Sequence, residues 1–299
     1  MTRVLLTGGS SPLGDVLVPQ LVCSHKVVAT ARSDAAAARL AQYGVEVVRY
    51  DLQSSCPPPL PPAAAVVHLA GIGLAEPLVR LVEAVRPSLT VVVSSASATV
   101  RGHPRREAVL AGEGLLRAAA DGVVVLRPTM IYGSWRDRNV RKLWERMRRL
   151  PFVPRVRGGG WFQPVLADDV CAAVLDVLSQ PRRGVLPVAG PEPVRLDDVL
   201  DGLAQALGRR RLGPAVPLDL VAALLRRTPV TGSRTRHAVE MLQLDRSMPS
   251  PGAVGLSYAP TPLVDGLRLA VRRYAQERSR ASFGTPSSRD ITDAQAAYE

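Results

Sequence analysis

The residues best suited to chemistry stand near the amino terminus, in the stretch TGGSSPLG over 7–14. A short turn between a strand and a helix directs backbone N–H groups at the helix start, where they and the helix dipole favour a phosphate. Gly8 permits the tight turn, and Gly14 lets the helix approach the sheet. We therefore predict a dinucleotide-binding loop, the alternative being a strand–helix turn without a ligand. The other predicted cofactor contacts of this loop are Ser10, Ser11 and Leu13.

Ser11 departs from the residue type that such a loop normally has. The position between the two glycines, where the backbone passes closest to the phosphate, is usually glycine as well. The serine side chain either obstructs the phosphate or donates its hydroxyl to it, and the sequence leaves both interpretations open.

Arg32, at the end of the second predicted strand, carries the next piece of chemistry. An acidic residue at this place accepts a hydrogen bond from the ribose 2′-hydroxyl of NAD, whereas an arginine suits the 2′-phosphate of NADP. We therefore predict NADP in preference to NAD. Asp34 follows closely and keeps NAD open, and the alternative for Arg32 is a solvated loop charge.

The elements that position these residues follow from short Val- and Leu-rich runs that alternate with helical patterns. Continuously apolar strands, each followed by a helix, predict a parallel sheet buried on both faces. Right-handed crossovers then make an α/β, doubly wound, Rossmann-like sheet, with ligands beyond the carboxyl ends of its strands. The predicted strands span 3–7, 26–32, 45–52, 64–71, 89–95, 123–129 and 184–190. The predicted helices span 14–22, 35–44, 76–86, 106–119, 141–150 and 196–208, the last with Gly208 as its cap.

The organisation along the chain changes after the sixth strand. Residues 1–135 are predicted to form the dinucleotide-binding core. Residues 136–278 complete that core and form a small C-terminal substrate lobe, with a glycine-rich turn, a short strand and a helix over 157–178. Residues 279–299 are polar and are predicted to be a flexible tail.

Composition limits the location and the partners that we expect. No run approaches the roughly 18 apolar residues of a membrane span, and the chain enters a strand pattern without the marks of a signal peptide. Cys23, Cys56 and Cys171 are scattered and odd in number, which favours reduced thiols in the cytoplasm. The histidines form no metal-ligand pattern, so we expect no metal. Because no apolar run is long enough to span a membrane, we also expect no membrane partner.

The net charge of +12 comes almost wholly from arginine, since the chain has only two lysines. Abundant Arg, Ala and Pro with scarce Lys indicates a coding bias rather than a binding function. A basic protein can bind nucleic acid, but the chain has no recognition motif, basic arm or aromatic stacking platform. We therefore expect no nucleic-acid partner.

The order of several segments resembles the short-chain dehydrogenase/reductase superfamily, in its extended or atypical branch of NAD-dependent epimerase/dehydratase-like proteins. The resemblance covers about 1–275, and the pairing of its last two segments is the most specific part. The segments are TGGSSPLG, YDL (50–52), HLAG (68–71), SSASATVRG (94–102), LRPTMIYG (126–133) and QPVLADDV (163–170).

This resemblance implies roles for further residues. Asp51 and Leu52 would lie near the adenine, Leu69 and Ala70 along the cofactor ribose, and Pro128 near the nicotinamide.

Asp168 and Asp169 are similar to the acidic pair that the family has at a helix start. A carboxylate there caps free N–H groups, so we interpret the pair as structural rather than catalytic.

The chain departs from the family at its chemical centre. The family uses a tyrosine and a lysine four residues later, and the lysine lowers the pKa of the phenol that moves the proton. No Tyr-x-x-x-Lys sequence exists here, and alignment on Glu113 places Arg105 and Val109 at these two positions. Ser97 does match the family's Ser or Thr that holds the substrate oxygen, with Ser95 as the neighbouring option.

Two residues are candidates for the missing proton donor. His103 titrates near neutrality and would serve as a general acid or base, the alternative being a surface residue of its loop. Tyr132 would face the pocket, the alternative being a packing residue.

Arginines crowd the region after the sixth strand, and arginine binds diphosphates bidentately. An anionic small-molecule substrate, such as a nucleotide sugar or a carrier-bound acyl group, would fit, the alternative being a solvated basic face. These arginines are Arg136, Arg138, Arg141, Arg146, Arg148, Arg149, Arg155 and Arg157.

Two functions follow from this balance of features. The first is an NADP-dependent oxidoreductase or epimerase with a displaced proton donor. The second is a non-redox protein on the same fold, such as a cofactor sensor, a partner subunit or a biosynthetic enzyme without hydride transfer. Ser97 and the basic region favour an enzyme, and the sequence predicts no particular oligomeric state.

Overall fold

The computed structural model describes residues 1–150, 155–211, 215–220, 223, 246 and 255–283. The strands are β1 (Arg3–Thr7), β2 (Lys26–Ala31), β3 (Glu46–Arg49), β4 (Ala65–His68), β5 (Leu89–Val93), β6 (Val123–Pro128), β7 (Ile131–Tyr132), β8 (Arg155–Arg157), β9 (Val165–Leu166), β10 (Gly184–Val188) and β11 (Ala215–Pro217). The helices are α1 (Gly14–Leu21), α2 (Asp34–Ala41), α3 (Ala75–Val85), α4 (Arg106–Ala119), α5 (Val140–Arg149), α6 (Ala167–Ser179), α7 (Leu196–Ala206) and α8 (Leu263–Phe283). Short 3-10 turns span Ile72–Leu74 and Ala96–Ala98.

A seven-stranded sheet in the order β10-β6-β5-β4-β1-β2-β3 forms the centre of the molecule. All of its pairings are parallel, and Leu5 of β1 stands between Val28 of β2 and Val66 of β4. Strand order reverses between β1 and β4, and a doubly wound sheet opens its ligand crevice at such a point. The predicted α/β fold is therefore confirmed, and the glycine loop that follows β1 lies at this reversal.

Both faces of the sheet are buried, because successive residues of each strand point to opposite sides. Val4 and Leu6 of β1 belong to the apolar cluster that includes Leu17 of α1. Leu5 belongs to the cluster on the other face, which includes Leu78 of α3. Burial on both sides explains why these strands read as continuous apolar runs.

A third apolar cluster holds the C-terminal lobe together. The Trp144 ring of α5 lies 5.4 Å from the Tyr274 ring of α8, measured between centroids. The sequence prediction left α8 inside a mixed region, although Leu263, Leu267 and Ala270 recur at helical spacing on its buried side.

Several predicted boundaries shift at the edge where the site is formed. β3 ends at Arg49 and β4 at His68, so the predicted strands 45–52 and 64–71 are each three residues too long at that end. The chain turns away there, and Gly71 takes a φ of 95° that favours glycine. Gly208 follows α7 with a φ of 64°, as its predicted role of cap requires.

At its carboxyl end the described chain is more regular than predicted. α8 continues to Phe283, past the start of the predicted tail at 279, and residues 284–299 lie outside the described residues. No described helix combines the length and the apolar character needed to cross a membrane. Within the described residues, no group of three His, Cys, Asp or Glu side chains is arranged to hold a metal.

Candidate functional site

The glycine loop has the tight geometry that its sequence predicts. Gly8 has a φ of 71°, and a Cβ there would stand 2.4 Å from the amide nitrogen of Ala70. A Cβ on Gly14 would stand 1.9 Å from the carbonyl oxygen of Gly9. Neither position admits a side chain, and the contact brings two predicted cofactor residues, Gly8 and Ala70, together where β1 meets β4.

Ser11 turns its side chain toward the start of α1. Its amide donates to the Gly8 carbonyl at 2.9 Å, and its Oγ accepts from the Gly14 amide at 3.2 Å. The hydroxyl oxygen thus uses one of the N–H groups that would otherwise point at a phosphate. The hydroxyl hydrogen can still donate to a phosphate. Ser11 therefore both occupies a loop N–H group and offers a donor of its own.

Arg136 lies against this loop rather than in the substrate lobe where the sequence prediction grouped it. Its Nε and Nη2 donate to the two carboxylate oxygens of Asp15 at 2.7 and 2.9 Å, and Nη2 also donates to the Ser10 carbonyl. Burial raises the pKa of Asp15, although the bonds from Arg136 act in the opposite direction. The guanidinium therefore joins the segment before α5 to the first turn of α1.

His68 is buried beneath the loop and holds the two central strands in register. Its Nε2 donates to the Gly71 carbonyl at 3.0 Å, and its Nδ1 therefore accepts from the Thr7 hydroxyl at 2.7 Å. Burial lowers the pKa of His68 to about 4. The ring is neutral at physiological pH and supports the turn that Leu69 and Ala70 enter.

An open cleft of about 350 Å³ lies at the carboxyl ends of β2 and β3. It brings together two predicted residues, Arg32 and Asp51, while Leu52 is buried beside it in the second apolar cluster. Arg49 belongs to the same cleft and was not predicted, because the sequence pattern assigned it to the interior of a longer strand. The lining residues are Arg32, Arg49, Tyr50, Asp51, Ser54, Cys56 and Pro58.

Ser97 lies in the turn after β5, next to a buried ionic network. Its Oγ donates to the Ser95 hydroxyl at 3.0 Å. One turn earlier, Ser94 donates to Glu113 of α4 at 2.5 Å. Glu113 is only 3% exposed and also accepts from Arg127 Nε at 3.0 Å.

This network ties α4 to β5 and to β6, whose last residue is the buried Pro128. The sequence prediction used Glu113 only for alignment and did not identify its partner. The sequence did contain a signal for this ion pair: Glu113 lies on the apolar face of α4, and Arg127 lies in an otherwise apolar strand.

Val109 and Arg105, which the sequence alignment placed at the family's lysine and tyrosine positions, have opposite surroundings. Val109 is 1% exposed and packs in the apolar cluster that contains Ile72 and Ala98. Arg105 is exposed at the start of α4, and its amide donates to His103 Nδ1 at 3.1 Å. His103 thus accepts from the residue that immediately precedes α4 and, when neutral, carries its ring proton on Nε2.

Tyr132 lies in the C-terminal lobe cluster and is 1% exposed. A Cβ on Gly266 of α8 would stand 2.0 Å from the Tyr132 hydroxyl, so glycine is required where the two elements meet. Burial raises the pKa of this phenol above its ordinary value. This placement agrees with the alternative that Tyr132 is a packing residue.

Asp168 and Asp169 have a structural role, but their predicted capping role is corrected. Asp168 accepts two bonds from Arg273 of α8, at 2.6 and 2.8 Å. Asp169 accepts from the Thr261 amide at 2.9 Å and from its hydroxyl at 2.7 Å. The acidic pair therefore fastens the C-terminal segment to α6.

Most of the remaining predicted substrate-region arginines are exposed, and some of these also contact neighbouring side chains. Arg141 donates to Glu145 at 2.9 Å, and the Arg148 guanidinium lies 4.9 Å from the Trp144 ring centroid. The exposed members are Arg138, Arg146, Arg148, Arg149, Arg155 and Arg157.

No protein-family model matches the chain, and no curated protein matches it. Solved structures of similar fold do exist. The UDP-glucose 4-epimerase of Thermotoga maritima aligns with a TM-score of 0.70 at 16% identity, over 92% of this chain and 99% of the epimerase.

Two further structures carry nicotinamide cofactors. The UDP-glucuronic acid 4-epimerase of Bacillus cereus, in complex with UDP-glucuronic acid and NAD, aligns with a TM-score of 0.67 at 15% identity, over 92% of this chain and 99% of that enzyme. The triphenylmethane reductase of Citrobacter sp., complexed with NADP(H), aligns with a TM-score of 0.70 at 17% identity, over 90% and 99%. The chain thus shares the fold of these sugar epimerases and reductases, as the sequence resemblance implied.

Proposed function

We propose that the chain belongs to the extended or atypical short-chain dehydrogenases and binds NADP in preference to NAD. On this proposal it is an oxidoreductase or epimerase that acts on a small anionic substrate without the usual tyrosine and lysine. The observation that carries the proposal is the glycine loop, whose Gly8 and Gly14 admit no side chain. A strand–turn–helix this tight, at the strand-order reversal, directs the N–H groups at the start of α1 to the place where a pyrophosphate would bind.

The preference for NADP is supported by Arg32 in the cleft at the ends of β2 and β3. Its guanidinium suits a 2′-phosphate, and bidentate charge-assisted bonds are the strongest that a side chain offers. Proteins of this fold accommodate either cofactor, since the Bacillus cereus epimerase holds NAD and the Citrobacter sp. reductase holds NADP(H). The choice therefore depends on this chain's own residues.

The chain's residues would divide the remaining work among them. NADP, when bound, supplies or accepts a hydride. Ser97 would hold the substrate oxygen at the end of β5. His103 would supply the proton from Nε2, because its Nδ1 is already bonded to the Arg105 amide. The exposed arginines around α5 would attract an anionic substrate.

One observation favours the non-redox alternative. Val109 fills the lysine position with apolar side-chain atoms inside a closed cluster, so nothing there lowers the pKa of a proton donor. A cofactor sensor, a partner subunit or an enzyme without hydride transfer would need only the loop and the cleft.

Titration of the protein with NADPH and with NADH, followed by nicotinamide fluorescence, tests the proposal. We expect tighter binding of NADPH, and in Arg32→Ala a loss of NADPH affinity of about tenfold with NADH affinity unchanged. Arg117→Ala is the matched control, because it removes an exposed arginine from α4 and lowers the net charge equally. Binding of neither cofactor would refute the proposal.

The redox part needs a second measurement. NADPH consumption is followed with a panel of anionic carbonyl compounds, and nucleotide sugars are tested for epimerisation with bound cofactor. If the protein is such an enzyme, we expect the wild type to turn over a substrate. We expect this turnover to fall at least tenfold in His103→Ala. Unchanged turnover in that variant removes His103 as the proton donor, and cofactor binding without any turnover favours the sensor.

A further inference from the structure

Arg49 shares with Arg32 the cleft at the carboxyl ends of β2 and β3. Arg49 is the pairing partner of Ala31 in the parallel β2–β3 ladder, and Ala31 directly precedes Arg32. Adjacent strands lie about 4.8 Å apart. The two arginines therefore leave neighbouring strands at the same end of the sheet, and both line the cleft beyond that end.

The structure holds Arg49 only loosely. Its Nε lies 3.4 Å from the Asp34 carboxylate, and its Nη1 lies 3.5 Å from the Ala31 carbonyl. The Asp34 side chain is 98% exposed and that of Arg49 is 48% exposed. An ion pair this long and this exposed contributes little to stability, so Arg49 is ready to change partner.

Resting on the proposed function, we infer that Arg49 is the second ligand of the cofactor's 2′-phosphate, and that Asp34 is the counter-ion it exchanges for that phosphate. A phosphate carries more charge than a carboxylate and offers three oxygens, enough for two guanidinium groups. Asp34 returns to water at small cost because it is already solvated. Its role on this inference is to compete with NADP, not to bind the 2′-hydroxyl of NAD.

Asp51 and Tyr50, two other residues of the cleft, do not compete with the phosphate for Arg49. Asp51, a carboxylate that lines the cleft, accepts from the amide of Gln53 at 3.0 Å and is thereby held to its own turn. Tyr50 is buried and forms a wall of the cleft. Asp34, which is not one of the residues that line the cleft, is the carboxylate that pairs with Arg49.

Four variants test the exchange by titration with NADPH and NADH. Arg49→Ala should weaken NADPH binding by about tenfold and leave NADH binding within about twofold. Asp34→Asn should tighten NADPH binding by about two- to fivefold, because the competitor is gone. In the double variant, Asp34→Asn should have no effect, since the partner it releases is absent. Arg49→Lys should keep part of the NADPH affinity, because lysine retains the charge without the bidentate geometry.

A competition measurement isolates the phosphate. Adenosine 2′,5′-bisphosphate should displace NADPH from the wild type more strongly than adenosine 5′-monophosphate does, and should lose most of that advantage in Arg49→Ala. Arg117→Ala, with the same change of net charge, should behave as the wild type.

The outcomes separate this inference from the proposed function. If the wild type prefers NADPH and Arg49→Ala binds it equally well, Arg49 is no phosphate ligand while the proposed function stands. Equal loss of NADPH and NADH affinity in Arg49→Ala also overturns the inference, because it signals damage to the cleft as a whole. If the wild type binds neither cofactor, the proposed function itself fails.

Discussion

Ser11 shows how much one side chain decides in this loop. The loop keeps its two indispensable glycines, so the backbone path to a phosphate is intact. The serine hydroxyl nevertheless accepts from the Gly14 amide, one of the donors at the start of α1. The loop thus keeps its tight turn, while one of its N–H groups bonds to a side chain of the loop itself.

Replacement of Ser11 by glycine should separate these two effects. We expect Ser11→Gly to bind NADPH several-fold more tightly, because the Gly14 amide becomes available to the phosphate. The free energy of unfolding should fall by about 0.5–1 kcal/mol, because one hydrogen bond is lost. Cofactor titration and urea unfolding measure the two changes. Ser10→Gly is the control, and weaker NADPH binding by Ser11→Gly alone would show that the hydroxyl instead donates to the phosphate.

His68 should make stability depend on pH in a defined window. Its pKa is about 4 in the folded chain, against 6.5 for an unperturbed histidine. Between these values the unfolded chain binds the proton more tightly, so this contribution to stability is complete above about pH 7. It is lost as the pH falls through 6.5 toward 4, to a total of about 3 kcal/mol.

Urea unfolding across this range, compared between the wild type and His68→Gln, checks the effect of His68. The slope of unfolding free energy against pH should be shallower in His68→Gln, whereas His25→Gln should keep the wild-type slope. Equal slopes in all three proteins would mean that His68 is not the group responsible.

The residues that sequence spacing could predict are those whose role follows from the backbone. Gly8, Gly14 and Arg32 hold positions fixed by a strand–turn–helix, and the structure places them as expected. The place of Arg49 in the cleft was not predictable, because it depends on where β3 ends and on which strand lies beside it. The contact of Asp168 also depends on the direction of its side chain. Its type and position suggested a helix cap, but its partner, Arg273, lies on the distant helix α8.

At the scale of the element, α4 combines an apolar side with one buried carboxylate that bonds to neighbouring segments. Its predicted bounds, 106–119, agree with the structure because its apolar spacing is regular. Val109 faces the core at the lysine position, while Glu113, one turn later, keeps its bonds to Ser94 and Arg127. The helix therefore still positions the Ser97 turn.

Removal of the Glu113 carboxylate should expose the importance of this framework. Glu113→Ala leaves Arg127, whose side chain is only 16% exposed, without the carboxylate it bonds to, which should lower the free energy of unfolding by about 3 kcal/mol. Glu107→Ala removes an exposed glutamate of the same helix, paired only with the exposed side chain of Arg106, and should change it by less than about 1 kcal/mol. Urea unfolding of both variants makes the comparison. Similar losses would mean that the buried pair contributes no more than a surface pair.

At the scale of the whole molecule, the doubly wound sheet was predictable because every central strand repeats the same apolar pattern. The C-terminal lobe was not, because its elements are short or are recognised only by what they pack on. α8 illustrates this: Tyr274 packs on Trp144 of α5, and its hydroxyl donates to the buried Asp137. Asp137 in turn accepts from the Gly133 amide at 3.1 Å.

These contacts form a continuous path from α8 to the glycine loop. Arg273 of α8 bonds to Asp168 and also donates to the Gly133 carbonyl at 3.3 Å. Gly133 begins the segment that ends at Arg136, and Arg136 holds Asp15 and the Ser10 carbonyl. The position of α8 should therefore affect the order of the loop that would hold the cofactor.

Asp168→Asn tests this path, because it weakens the bidentate pair that fixes α8. We expect the free energy of unfolding to fall by about 1–2 kcal/mol, and amide hydrogen exchange to accelerate in α8 and in 133–139. Asp265→Asn is the matched control, since it breaks an exposed pair with Arg268 inside α8 and should leave exchange in 133–139 unchanged. If exchange in Asp168→Asn accelerates only within α8, the lobe and the cofactor loop are not coupled through Gly133. If it spreads to 133–139, the C-terminal lobe helps to set the geometry of the glycine loop, so a substrate that orders the lobe would also favour cofactor binding.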